Sequence, residues 1–204
     1  MQLNEKLCAV RVFILILFLI LSIQSWAKAD DIKDFEIEGM SIGDSLLNYY
    51  SQREINEALK NASYYKSKKY VEIFLSYEKG EFDVLQVAFQ TKDKSYKIEK
   101  IMMSKDFSNQ IEKCKEFKEN FIEDSSKFLK LSNRSNHDTA ALADPTGNSF
   151  RYISTYLHPT GGFFNFTCTD YGKEMYDENG WYDSFTVSVG SEKMLKYLQS
   201  DEAY

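Results

Sequence analysis

YVEIFLSY at residues 70–77, FDVLQVAFQ at 82–90 and YKIEKIMMS at 96–104 decide the fold class of this chain. Each run is short, carries β-branched, aromatic or other apolar residues, and is bounded by turn formers, the pattern of a β-strand. The links, Lys79-Gly80 and Lys92-Asp93-Lys94, are short and turn-like. Strands joined so closely pair antiparallel, as a meander.

Reading outward towards the N-terminus, 35–38 alternates like a short strand. Gly39-Met40-Ser41-Ile42-Gly43 then leads to Asp44 and Ser45, either of which can accept the orphan N–H groups of a helix start. A helix is expected over 46–59, broken near Ser51. Ser51 itself, with Glu54 three residues on, forms a capping box.

Towards the C-terminus, Phe107, Ile111, Cys114, Phe117, Phe121 and Phe128 recur at helical spacing, predicting a long helix over 107–131 with Cys114 on its core face. The polar, turn-rich stretch 132–149 reads as the longest irregular segment and the best place for a functional loop. Three more strands are expected at 150–157, 163–170 and 182–189, then a closing helix at 191–198 with Met194, Leu195 and Leu198 inside. Side chains alternate along a strand, so Phe164, Phe166 and Cys168 share one face. The expected architecture is α+β: an antiparallel sheet of about six strands in two α-βββ units, with helices packed on one face.

That domain spans 30–204 and follows an address label. Lys6 and Arg11 precede the apolar run at 12–23, and Ala27-Lys28-Ala29 offers small residues at −3 and −1 of a cut. This is the layout of a secretory signal peptide over 1–29. It implies a periplasmic or secreted protein with no membrane span after cleavage. The alternative is an uncleaved signal that anchors the chain in the membrane, although the run falls short of about 20 apolar residues. Cutting after Ala29 leaves 22 basic and 30 acidic side chains, a net charge of −8. Such a surface repels nucleic acid, and Lys66-Ser67-Lys68-Lys69 is too short to reverse it.

Cys8 would leave with the signal. Cys114 and Cys168 remain, an even count in an exported chain, and both point inward. A structural disulfide fits best. A redox pair lacks the C-x-x-C spacing, and the other alternative is two buried free thiols.

No catalytic constellation is readable. His137 and His158 are the only histidines in the exported portion. His137-Asp138, with Asp144 further along the same stretch, could serve a hydrolase or a metal-dependent enzyme, but neither zinc-ligand spacing nor a nucleophile elbow is present. His158 reads as a strand-end residue. Asp170, Asp177, Glu178 and Asp183 crowd one connection without the spacing of a calcium loop, and Asn179-Gly180 within it is a turn. No cofactor is implied. Tyr49, Tyr50, Tyr64 and Tyr65 flank the first helix as adjacent pairs. One member of each pair should face solvent, which makes these tyrosines the candidate binding patch for an unknown protein or small-molecule partner. The expected function is a non-catalytic binding or interaction module, with the enzyme around His137–Asp144 as the alternative.

Phe35-x-Ile37-Glu38-Gly39-Met40-Ser41-Ile42-Gly43-Asp44-Ser45-Leu46, Cys114, Asp144-x-Thr146-Gly147-x-Ser149 and Cys168-x-Asp170 together resemble short secreted proteins of unknown function from marine bacteria. The resemblance implies organisation rather than activity. If that family pairs its cysteines, Cys114–Cys168 is the match. The glycine-rich entry at 39–43 is also similar to that of small envelope-assembly lipoproteins with a helix-helix-meander fold, and of tandem inhibitors built from such units. The lipid-bearing cysteine of the lipoproteins is missing here.

Overall fold

The structure, a computed structural model, describes residues 31–76, 80–129, 131–141 and 144–204. The expected signal peptide therefore lies outside the described residues, as does Lys79 of the first meander turn. Among the described residues, no helix is long and apolar enough to cross a membrane.

The fold is α+β. A small hairpin, β1 (Glu36–Ile37) and β2 (Met40–Ser41), opens the chain. Then come α1 (Gln52–Leu59), β3 (Ser63–Tyr64), β4 (Tyr70–Leu75), β5 (Val84–Gln90) and β6 (Lys100–Asp106). The second half runs α2 (Ile111–Ser126), β7 (Ser132–Ala140), β8 (Phe150–Leu157), β9 (Phe163–Asp170), α3 (Lys173–Asn179), β10 (Ser184–Gly190) and α4 (Glu192–Leu198). The main sheet has eight antiparallel strands in the order β3-β4-β5-β6-β10-β9-β8-β7. Each half thus contributes four strands, and the halves join through their last ones, with Lys100 opposite Gly190 and Asp106 opposite Ser184.

Two strands of the main sheet exceed the sequence expectation. β3 is a two-residue edge. β7 occupies the first half of the stretch read as irregular, because a polar edge strand exposed along nearly its whole length carries no apolar alternation. The third expected strand also shifts. Residues 96–98 pair with the chain entering the first helix, through Ile98 N–H to Asp44 O and Leu46 N–H to Tyr96 O, before β6 begins at Lys100.

Strand alternation gives the sheet two unlike faces. In register across it run Ile73, Val87, Ile101, Val189, Phe164 and Tyr156, all buried. This face carries the main core, closed by Ile55 of α1 and by Cys114 and Ile122 of α2. The Cys114–Cys168 disulfide ties α2 to β9 with a Cα–Cα distance of 5.9 Å, as the inward faces of both residues require. Ser51 caps α1 with the Glu54 box intact. α2 starts only at Ile111, because Ser108 and Asn109 have positive φ. Lys118 takes a buried place on it, donating to Tyr152 O at 3.3 Å.

α4 lies on the other face, contrary to the expectation that all helices share one side. Met194 and Tyr197 cover Tyr70, Ala88 and Phe163, the alternate residues of β4, β5 and β9. α4 can seat there because the β8–β9 turn is tight: at Gly162 (φ +91°) a Cβ would come within 2.5 Å of Gly190 O. Among the described residues, no helix packs across the rest of this second face. Its rows are mixed and mostly polar, as in Phe74, Gln86, Met102, Ser188, Asn165 and Thr155.

Candidate functional site

At the end of the open face away from α4, the α3–β10 connection lifts large aromatics beside the sheet. Gly180, in left-handed conformation at φ 67°, ends α3 and turns the chain, and Asn179-Gly180 is the turn read from the sequence. Trp181 and Tyr182 follow. Trp181 packs edge-on to Tyr171 with ring centroids 5.3 Å apart, and Tyr182 packs on Tyr176 at 5.1 Å. Below them Phe74, Val84, Gln86 and Met102 floor a hollow of about 370 Å³. Phe74, Trp181 and Tyr182 are 48%, 38% and 37% exposed, which is unusual for residues of this size.

A buried carboxylate holds this end in place. Asp183 is buried and accepts from Tyr171 N–H at 3.1 Å, anchoring the aromatic connection to the sheet. Burial, then the neighbouring Asp170, pushes the Asp183 carboxyl above the usual carboxylate range. Asp106 lines the hollow, and its carboxyl is raised by burial and by nearby Asp83. Burial also raises the Tyr171 phenol. Deeper along the face, Lys100 and Glu72 form an ion pair at 2.7 Å, with Tyr65 Oη within 3.3 Å of the ammonium.

No protein-family model, curated protein or solved structure matches this chain.

The residues singled out in the sequence fall in several places. Tyr49 and Tyr64 are exposed, while Tyr50 and Tyr65 are partly buried. They do not form one patch. Tyr50 packs against the main core, whereas Tyr65 packs against Tyr197 on the opposite face. Tyr49 is engaged with Asp44 at 2.5 Å, and this hydrogen bond raises its phenol to about 12.

His137 and Asp138 are neighbours on β7 and so project to opposite faces: His137 lies opposite Ile153 and Asp138 opposite Tyr152. Asp144 serves its own turn. Its Oδ1 accepts from the N–H and hydroxyl of Thr146 (2.8 and 2.7 Å), and its Oδ2 from Asn148 N–H (3.1 Å) and the Ser149 hydroxyl (2.7 Å). These bonds, that from Ser149 foremost, outweigh burial and hold the carboxyl down at about 2. A group so occupied has no lone pair in reserve for a proton-transfer role. His158 is buried at the end of β8. Its Nδ1 accepts from Thr160 N–H at 3.3 Å, and among the described residues its Nε2 has no partner. The acidic connection 170–183 contains α3, and among the described residues no three His, Cys, Asp or Glu side chains converge as a metal site.

The aromatic hollow was missed in the sequence because its members come from β4, β5, β6 and the α3–β10 connection. The one local signal was Trp181-Tyr182 directly after a turn, where the sequence calls for a surface position.

Proposed function

We propose that this protein is an exported, non-catalytic binding module whose contact surface is the open face of the sheet around Phe74, Met102, Tyr171, Trp181 and Tyr182. The exposed aromatic cluster carries this reading. Trp, Tyr, Phe and Met around a hollow on an otherwise Ser- and Thr-rich face match the composition of an interface core. The partner is a protein that inserts an apolar side chain into the hollow. The acidic chain and the leader at 1–29 favour a partner met outside the cytoplasm.

The test is comparative capture. Immobilised oxidised protein, and the variants Trp181→Ala and Phe74→Ala, are exposed to an envelope extract. A protein retained by the parent, lost by both variants and bound again after purification would support the reading. Equal retention on parent and variants would sink it. Hydrolysis of a substrate panel that disappears in His137→Ala would establish the enzyme alternative instead.

A further inference from the structure

The two edges of the sheet differ sharply. β3 offers two residues, whereas β7 offers nine, nearly all exposed. Native proteins blunt a long edge with lysine, proline or a bulge. β7 has no lysine and no proline, and its bulge lies at one end, between Ser132 and Ser135. Its single arginine is turned back on its own chain. Arg134 Nη2 donates to Glu119 at 2.7 Å and to Ser154 at 3.1 Å, and Nε donates to Asn136 at 2.8 Å.

We propose that β7 pairs with β7 of a second copy of this chain, antiparallel about a two-fold axis at Asn136, fusing two sheets edge to edge. Hydrogen-bond parity and charge select both the occupant and the register. Ala141 N–H donates to Ser149 O, in line with the β7–β8 ladder. In antiparallel pairing the bonded residues alternate, so 139, 137 and 135 face β8 while 140, 138 and 136 direct N–H and C=O to the free edge. Only registers that place even residues opposite even residues can pair.

Centring on Asn136 satisfies that rule. It also sets Arg134 opposite Asp138 of the second copy, and Asp138 opposite Arg134, on the helix-bearing face. The Arg134 guanidinium, already held by Glu119, Ser154 and Asn136, is thereby fixed beside the incoming carboxylate. Centring on His137 also obeys the rule but sets Arg134 opposite Ala140, and centring on Asp138 brings two carboxylates together, so charge decides for Asn136. On the open face the same register places His137 beside Ser135. The contact is mostly main-chain, so the dimer forms reversibly with concentration. It does not depend on the aromatic hollow, which sits at the end of the sheet near Phe74 and Trp181.

Light scattering coupled to gel filtration, run on the full oxidised chain from micromolar to near-millimolar concentration, reads the result directly. The parent should pass from one chain to two. Asn136→Pro removes an outward N–H without touching the β8 ladder, and Asp138→Lys sets like charges across the axis, so both should stay single-chain. Asn136→Cys should crosslink to its own copy on mild oxidation, since bonded antiparallel pairs lie about 5.5 Å apart, within disulfide reach. Thr139→Cys, equally exposed, should not, as judged by peptide mass spectrometry. A parent that remains one chain throughout overturns the proposal. So does a dimer that survives in folded Asn136→Pro and Asp138→Lys, or crosslinking at position 139 as readily as at 136.

Discussion

The two faces of the sheet are built from the same strands and do opposite work. One face sets apolar residues in register under α1 and α2. The other, one residue out of phase, sets Gln, Ser, Asn and Thr in rows and leaves aromatics exposed at one end. Each face also holds a hollow of similar size. That on the helix side, about 380 Å³, is lined by core residues such as Met103, Val187 and Phe121, with the exposed Phe128 and with Glu36, Glu38 and Asp124 also lining it. That on the open side is ringed by Trp181, Tyr182 and Phe74. Volume therefore does not separate a packing gap from a binding surface. What separates them is how many of the large side chains nearby are already spent on the core.

Substitution can break this contrast. The largest effect belongs to Phe185→Ala. Phe185 is fully buried, with rings of Phe117 and Phe121 at 5.1 and 5.3 Å. Its loss should cost about 3–5 kcal/mol, read as a lower urea midpoint. Replacing Cys114 and Cys168 together by Ala reopens a loop with a separation of 54 residues, and should cost about 2–4 kcal/mol in the same assay.

A smaller effect, and one tied to pH, is expected for Asp144→Asn. Folding lowers this carboxyl from its ordinary 3.8 to about 2. The ionised form is thus favoured in the folded protein, and its contribution is fully present above the unfolded value and lost as pH falls towards 2. Asp144→Asn should be less stable than the parent at neutral pH, with the gap closing through that acid window. A gap that is constant with pH would show that the turn is held by something other than the charge. Phe74→Ala should be the mildest, within about 0.5 kcal/mol, because it lies exposed on the open face. A loss as large as that at Phe185 would mean that the open face is packed after all.

The packed half of this contrast was legible in the chain. Periodicity at 70–77, 82–90 and 163–170 located strands, helical spacing located α2, and inward cysteines located the disulfide. These signals are local and rest on apolar side chains. β7 was illegible for the opposite reason: SNRSNHDTA has no buried face, so nothing alternates. The placement of α4 was illegible too. A short amphipathic helix shows which of its own faces is apolar, but not which side of the sheet will receive it. The aromatic hollow required knowing that Phe74 and Trp181, far apart in sequence, meet at one end of the sheet. The sequence offers Asp144 to a hydrolase or metal-dependent enzyme, since a carboxylate in a polar stretch looks alike whether it is poised for chemistry or saturated by its own turn.

The joining of the halves through β6 and β10 has a consequence for birth rather than for stability. A chain emerging N-terminus first delivers β6 and β9 well before β10. Until β10 slots between them, both wait with bare ladders, and the two half-sheets are separate bodies. The window between release of Asp170 and release of Gly190 is therefore when nascent copies are most apt to stick to one another, or to need a guardian.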